Sequence, residues 1–282
     1  MAVRLETWST GEGPPLVVQG PAWGPSSDYL RLTLVPLLDG LRVITFDPRN
    51  VGESSRVEAP DAQAVEHLVD DLESLRRRLG LERFVLAGHS HGGFVAMAYA
   101  IRHPRHLAGL VLLNTAVRRG LPDDDLENVL DELATDPART EAIEIFRATN
   151  GRLQCVESDA ELARRMRRLM PAYFVDLEAM RRFRLQARGA RPPSHRALAR
   201  VADELEPWVE RALPEVRVPA LVVTGRYDVA TTPANARRIH ELLPGSRLEI
   251  FERSGHHPWA EEPERFEEIL RGFLADIGFA AA

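Results

Sequence analysis

Short apolar runs alternate along this chain with longer segments in which apolar residues recur every three or four positions. A short, almost continuous apolar run is typical of a strand that is buried on both faces, and the wider spacing is typical of a helix that packs on a sheet. Because the two patterns alternate, the sequence predicts an α/β fold with a mostly parallel, doubly wound sheet. The predicted strands are 16–18, 41–46, 84–87, 107–113, 218–225 and 247–251, and the predicted helices of this part are 62–79, 233–243 and 263–277.

The alternation stops in the middle of the chain. Residues 118–205 contain helical spacings and polar turns but no apolar run of strand type, and two helices are predicted there at 159–170 and 173–187. A chain of 282 residues fits one α/β domain with an insertion. We therefore expect a core formed by residues 1–117 and 206–282, with residues 118–205 inserted as a helical cap.

Composition and charge limit the kinds of partner, location and chemistry that we expect for this chain. The hydrophobic fraction of 44% and the charged fraction of 28% are those of a soluble globular protein, and no apolar stretch has the length of a membrane span. The first residues carry no leader pattern, so a cytoplasmic location is expected. The net charge of −6 argues against a nucleic-acid partner. The chain has no lysine, which excludes Schiff-base chemistry, and its one cysteine, Cys155, predicts a free structural thiol.

The candidate chemistry begins at the turn Gly88-His89-Ser90-His91-Gly92, which joins the predicted strand 84–87 to an apolar helical pattern. A serine at the tip of so sharp a turn takes a strained backbone conformation, and glycines two residues to either side leave room for it. Ser90 is therefore the candidate nucleophile. The alternative is an ordinary glycine-rich turn that starts a helix.

Two further polar residues follow predicted strands. Asp228 comes just after the strand 218–225, and His256 follows the strand 247–251. A serine hydroxyl needs a base to take its proton and an acid to orient that base, and sheets of this type carry them in the chain order serine, aspartate, histidine. Ser90, Asp228 and His256 are thus the predicted nucleophile, orienting carboxylate and general base.

Five segments carry a family resemblance that spans nearly the whole chain: GEGPPLVVQG, FDPRNVGESS, LAGHSHGGFVAMAYA, LVVTGRYDVATTP and ERSGHHPWAEEPERF. In this order and spacing they resemble the α/β-hydrolase superfamily, and they are most similar to proline iminopeptidase-like serine hydrolases. The resemblance implies the α/β-hydrolase fold with a helical cap. It also implies the same triad of Ser90, Asp228 and His256, because the pattern Gly-His-x-Pro-Trp puts the base at His256 rather than His257.

The chain departs from this family at the loop after the first predicted strand. Relatives have His-Gly where this chain has Gln19-Gly20, and the next residue, Pro21, has no N–H to donate to an oxyanion. One extra residue in the loop makes the N–H of Ala22 or Trp23 the candidate donor. The N–H of His91, next to the nucleophile, is the candidate second donor.

The walls of the predicted substrate site are mostly aromatic: Trp23, His91, Tyr173 and Phe174. His89 and His91 flank Ser90, but alternate residues of a turn rarely give tetrahedral geometry and no third ligand is evident, so neither a metal nor a cofactor is expected.

The leading hypothesis is a serine hydrolase that cleaves an ester or amide of a small, largely apolar molecule. If the substrate carries an amino group, an acid such as Glu157, Glu161 or Asp176 would neutralise it. Two alternatives stay open, which are a non-hydrolytic enzyme on the same fold (acyl transfer, lyase or cyclisation chemistry) and a ligand receptor.

Overall fold

The computed structural model describes residues 3–153, 156–201 and 205–279. Within these ranges the chain forms one sheet whose strands lie where the apolar runs predict them, with one addition at the start of the chain. The strands are β1 (Thr7–Thr10), β2 (Pro15–Gln19), β3 (Arg42–Phe46), β4 (Phe84–His89), β5 (Leu107–Leu113), β6 (Ala220–Gly225) and β7 (Arg247–Phe251).

The sheet has the strand order β1-β3-β2-β4-β5-β6-β7. All neighbouring pairs are parallel except β1 and β3, which run antiparallel with Thr7 opposite Phe46. The predicted mostly parallel, doubly wound sheet is confirmed. Since β2, β4, β5, β6 and β7 are parallel, the residues that follow each of them meet at one edge of the sheet.

Helices cover both faces of the sheet. They are α1 (Asp28–Thr33), α2 (Val65–Arg78), α3 (His91–Arg102), α4 (Leu126–Ala134), α5 (Thr140–Thr149), α6 (Asp159–Leu169), α7 (Leu177–Gln186), α8 (His195–Leu198), α9 (Pro207–Ala212), α10 (Pro233–Leu242), α11 (Pro258–Glu261) and α12 (Pro263–Asp276). One apolar layer joins α2, α3 and α10 to side chains such as Val17 and Leu86, and a second joins α1 and α12 to Val18 and Val85. Successive strand residues thus face opposite layers, as the pleat requires.

Two of the elements that were not predicted lie near the start of the chain. The strand β1 has the sequence TWST, in which half the residues are exposed, so it shows no apolar run. It is nevertheless held by its ladder with β3 at the edge of the sheet. The helix α1 is only six residues long, DYLRLT, and is too short to show a spacing.

The described residues between β5 and β6 form helices α4 to α9 and no strand. We call residues 118–205 the helical segment. The second helix predicted there begins at Leu177 and not at 173, because Asp176 caps it: its carboxylate accepts the N–H of Glu178. Phe174 before it has an extended backbone. Cys155 lies outside the described residues.

The sequence predicts no membrane-spanning segment. Among the described residues, none of the helices combines the length and the apolar character that crossing a bilayer requires.

Candidate active site

Ser90 occupies the sharp turn between β4 and α3. Its backbone has φ 55° and ψ −129°, a conformation that a residue other than glycine adopts only under strain, of about 1–3 kcal/mol. A side chain at Gly88 would overlap the backbone of Gly92, and a side chain at Gly92 would overlap the carbonyl groups of Gln19 and Gly20. The two glycines therefore permit the turn and let α3 approach the end of β2.

Hydrogen bonds from β5 and its following loop hold the turn. The N–H of Ser90 donates to the Leu113 carbonyl (2.9 Å), and the Thr115 hydroxyl donates to the Ser90 carbonyl (2.7 Å). His91 is the first residue of α3, so its N–H has no acceptor within the helix. The partly exposed serine thus stands at a helix N-terminus that favours negative charge.

Asp228 and His256 form a buried pair at the same edge of the sheet. The distance between Asp228 Oδ2 and His256 Nδ1 is 2.9 Å. Burial alone would raise the pKa of Asp228, but the charge and hydrogen bond of His256, with hydrogen bonds from Thr231 and Asn114, bring that pKa below its ordinary value. The carboxylate is therefore ionised and accepts the hydrogen bond of His256 Nδ1, which leaves Nε2 as the ring nitrogen that is not bonded to Asp228.

Two residues missed by sequence reasoning also hold Asp228. The Asn114 side-chain amide donates to Asp228 Oδ2 (2.8 Å) and to the Gly255 carbonyl (3.1 Å), and the Thr231 hydroxyl donates to Oδ2 (2.7 Å). The N–H groups of Ala230 and Thr231 donate to Oδ1. Asn114 directly follows β5, so the rule that singled out Asp228 and His256, a polar residue just after a strand, would have found it.

The structure joins two of the three predicted triad residues directly. Among the described residues, no hydrogen bond links the Ser90 hydroxyl to His256. Instead, His89, the residue before Ser90, contacts His256. The rings of His89 and His256 have centroids 4.7 Å apart, and His89 Nε2 lies 3.1 Å from the His256 carbonyl oxygen. The turn at residues 88–92, which we call the elbow, is therefore packed against the loop of the candidate base.

His89 is buried and held in one tautomer. A carbonyl oxygen only accepts, so Nε2 of His89 donates to His256, and Nδ1 accepts from the Tyr29 hydroxyl at 2.6 Å. Burial, with a smaller contribution from His256, lowers the pKa of His89 well below its ordinary value. The neutral ring therefore links Tyr29 of α1 to the backbone at His256.

His257, next to the candidate base, lies in apolar surroundings. Its ring is stacked on Phe174, with centroids 4.7 Å apart and an angle of 8° between the planes. Among the described residues its Nδ1 has no hydrogen-bond partner. Of the two adjacent histidines, only His256 contacts Asp228.

The loop after β2, residues 20–27, approaches the elbow through Ala22. The Ala22 N–H donates to His91 Nδ1 (3.3 Å), and Gln63 donates to the Ala22 carbonyl. Burial, with the nearby charge of Arg119, lowers the pKa of His91 to about 4. His91 is therefore neutral at pH 7, with Nδ1 as acceptor and the proton on Nε2. Trp23, the next residue of this loop after Ala22, is partly buried.

The helical segment holds this same loop. The N–H of Ser194 donates to the Gly24 carbonyl (2.9 Å). The guanidinium of Arg191 contacts Asp28 at 2.8 Å and Asp47 at 2.7 Å, and it lies 4.7 Å from the ring centroid of Trp8. We call Arg191, Asp28 and Asp47 the arginine anchor.

The predicted aromatic wall residues have different surroundings. The Tyr173 ring lies 5.6 Å from the His256 ring and is partly exposed. Phe174 is completely buried and packs in the core. Tyr173 is thus placed beside the candidate base, whereas Phe174 packs against His257 in the loop of that base.

The acids considered for an amino group are engaged elsewhere or exposed. Glu161 pairs with Arg165 (2.7 Å), Asp176 caps α7, and the side chain of Glu157 is exposed. Among the described residues no group of three His, Cys, Asp or Glu side chains has a metal-binding arrangement.

A polar cavity of about 140 Å³ borders Asp228. Its charged lining residues include Asp123, Glu132, Arg226 and Glu252.

Comparison with known proteins gives one family and several individual matches. The family model described as alpha/beta hydrolase fold matches residues 15–263. A proline iminopeptidase from Saccharolobus solfataricus is 26% identical over 264 residues, which is 90% of this chain and 82% of that protein.

Two solved structures illustrate the structural likeness. A thermophilic esterase from Thermogutta terrifontis has a TM-score of 0.66 and 27% identity, with 98% of this chain and 94% of that chain covered. A meta-cleavage product hydrolase from Pseudomonas fluorescens has a TM-score of 0.72 and 21% identity, with 97% and 95% covered.

Proposed function

Because the chain belongs to the alpha/beta hydrolase fold family, we propose that it is a serine hydrolase that cleaves an ester or amide bond of a small, largely apolar substrate. The match over residues 15–263 confirms the family resemblance that the motifs predict. The observation that carries the finer proposal is the buried Asp228–His256 pair, which lies at the same sheet edge as the strained turn that presents Ser90.

The proposed reaction forms and then hydrolyses an acyl-enzyme. Ser90 Oγ attacks the substrate carbonyl carbon while His256 Nε2 takes its proton, and Asp228 stabilises the imidazolium that results. As the tetrahedral intermediate collapses, His256 returns that proton to the leaving alcohol or amine. A water molecule then attacks the acyl carbon, with His256 again as the base, and the acid is released with Ser90 restored.

The developing oxyanion needs N–H donors. We assign one to His91, whose N–H is at the start of α3, and the other to the loop after β2, where Ala22 and Trp23 remain the candidates. In the described structure the Ala22 N–H donates to His91 Nδ1 over a long 3.3 Å contact. This hydrogen bond is long and its acceptor is uncharged, so a negatively charged oxyanion can replace that acceptor.

The substrate is proposed to lie between these loops and the helical segment, which acts as a cap. Trp23, His91 and Tyr173 are uncharged groups on the two sides of this space, since the lowered pKa of His91 keeps its ring neutral. Such walls favour an apolar acyl or leaving group.

The test is pre-steady-state hydrolysis of p-nitrophenyl acetate. We expect a burst of p-nitrophenol of about one equivalent per enzyme, because acylation releases it before the acyl group is hydrolysed. Ser90→Ala should abolish the burst and lower kcat by about 10³-fold or more. Ser74→Ala, an exposed serine on α2, is the control and should leave both unchanged. A wild-type enzyme without a burst, or turnover that survives Ser90→Ala, would contradict the proposal.

An aminopeptidase reaction is the second candidate, because the Saccharolobus relative is a proline iminopeptidase. It requires an acidic group for the substrate amine, and Glu161 and Asp176 already have partners. The discriminating measurement compares kcat/KM for proline p-nitroanilide with that for N-acetylproline p-nitroanilide. A preference for the free amine would favour the aminopeptidase, and no preference would favour the esterase or general amidase.

A further inference from the structure

A short stretch of the helical segment runs beside the loop that carries the candidate base. We call residues 173–176 the roof stretch and residues 253–257 the base loop. The N–H of His256 donates to the Tyr173 carbonyl oxygen (2.9 Å). A side chain at Gly255 would overlap the same carbonyl group, so the two backbones are in direct contact.

One carboxylate bridges the roof stretch and the base loop. Glu261 ends the short helix α11, which directly follows the base loop. Its Oε1 accepts the N–H groups of Val175 (2.7 Å) and Asp176 (3.0 Å), and its Oε2 accepts the N–H of Gly255 (2.7 Å). Since Gly255 adjoins His256, these three bonds fix the position of the base relative to the helical segment.

The neighbouring carboxylate has a different role. Glu262 Oε2 accepts the Arg253 N–H (3.0 Å) and the Ser254 hydroxyl (2.7 Å), both within or at the start of the base loop. It therefore shapes the base loop alone. Of these two acids, Glu261 is the one bonded to both sides of the contact.

The roof stretch is also fixed from the other side. The Arg139 guanidinium donates to the carbonyl groups of Phe174 and Val175, and it forms an ion pair with Asp136. Phe174 in turn stacks on His257 of the base loop. The roof stretch and base loop are thus joined by backbone, side-chain and ring contacts within a few residues of His256.

We propose that Glu261 is a positioning residue of the reaction: by joining the roof stretch to the base loop, it holds His256 where the ring can take the proton of Ser90. The inference rests on the proposed function, in which His256 is the general base. A displacement of a catalytic group by about 1 Å can cost 10²-fold in rate, so the loss of one bridging carboxylate has a measurable effect without removal of any reacting atom.

The experiment replaces Glu261 by glutamine, which keeps the size but turns an N–H₂ group toward a backbone N–H that the carboxylate accepted. With p-nitrophenyl acetate we expect kcat to fall about 10- to 100-fold, while KM changes less than about threefold. Glu264→Gln, an exposed acid one turn further along the chain, is the matched control and should change neither constant. Unchanged kcat, or a rise in KM alone, would overturn the positioning role.

Amide hydrogen exchange gives a readout that needs no turnover. In the wild-type protein we expect the amides of Val175, Asp176 and Gly255 to share one degree of protection relative to the unfolded chain, because one carboxylate accepts all three. In Glu261→Gln all three should exchange at least tenfold faster. Independent exchange of the three wild-type amides would overturn the inference even if the variant does not fold. If Ser90→Ala retained turnover, the proposed function would fail while the exchange result still decided whether Glu261 joins the two loops.

Discussion

Two of the contacts between the helical segment and the core hold carboxylates in different ways. At the roof stretch, Glu261 accepts three backbone N–H groups. Burial raises its pKa to about 7, although these hydrogen bonds act to lower it. At the arginine anchor, burial acts against Asp28 too, but hydrogen bonds from Arg191 and Arg31 outweigh it and hold its pKa well below the ordinary range.

The difference shows what a guanidinium adds. Backbone amides satisfy the lone pairs of a carboxylate but carry no net charge, whereas Arg191 supplies both hydrogen bonds and a positive charge. Arg191 does not lower the pKa of both carboxylates, however. Burial still raises the pKa of Asp47 above its ordinary value. We therefore expect the two contacts to respond differently to mutation and to pH.

The largest effect is expected from removal of the arginine. Arg191→Ala leaves Asp47 buried without this cation and leaves Asp28 with Arg31 alone, and breaking a buried ion pair in this way costs about 3–5 kcal/mol of unfolding free energy. Urea denaturation at pH 7 measures the change. The control is Arg188→Ala, an exposed arginine in the same part of the chain, which should shift stability by less than about 0.5 kcal/mol. A loss below about 1 kcal/mol for Arg191→Ala would show that the anchor is dispensable.

A smaller effect on stability, which depends on pH, is expected at the roof stretch. The pKa of Glu261 in the folded protein is raised, so its contribution to stability is present below its ordinary value near 4.5 and is lost as the pH rises through about 7. Wild-type stability relative to Glu261→Gln should therefore fall by about 1–3 kcal/mol between pH 4.5 and pH 8 in urea denaturation.

Asp28→Asn provides the contrast. The pKa of Asp28 is lowered, so its contribution is complete above its ordinary value of 3.8 and is lost only as the pH falls below it. The stability gap between Asp28→Asn and wild type should be constant from pH 5 to pH 8. If this gap varied with pH as much as the Glu261 gap, the contrast between the two contacts would be wrong.

The smallest effect is expected from the aromatic ring beside the arginine anchor. Trp8→Leu removes the ring that lies 4.7 Å from the Arg191 guanidinium carbon and 5.3 Å from that of Arg31, and should cost about 0.5–2 kcal/mol in urea denaturation. In Arg191→Ala the same substitution should cost less, since one of the two contacts is already gone. Equal costs in both backgrounds would mean that Trp8 does not contribute to the anchor.

The predictable parts of this molecule are those with a local signature. The strands 107–113 and 247–251 have the bounds that the sequence predicts: the first is a continuous apolar run, LAGLVLL, and the second, RLEIF, begins with alternating charged and apolar residues. β1 has no apolar run, and its position depends instead on pairing with β3, more than thirty residues away along the chain. Ser90, Asp228 and His256 also have a local signature, since each stands just after a predicted strand. They could therefore be named as candidates.

The parts that could not be predicted depend on contacts between distant residues. Arg191 meets Asp28 across 163 positions, and Glu261 meets Val175 across 86. In the sequence both are ordinary charged residues in polar surroundings. Glu261 is harder still, because its partners are backbone N–H groups that every residue except proline has.

The neutral ring of His89 also limits how this protein can be redesigned. The side chain before the nucleophile must accept from Tyr29 on one side and donate to the His256 carbonyl on the other, across a flat group of fixed width. A leucine or phenylalanine fills the volume but leaves both partners unmatched, and an asparagine is too short to span them. Variant libraries aimed at new substrates should therefore diversify Trp23 and Tyr173 and leave position 89 unchanged.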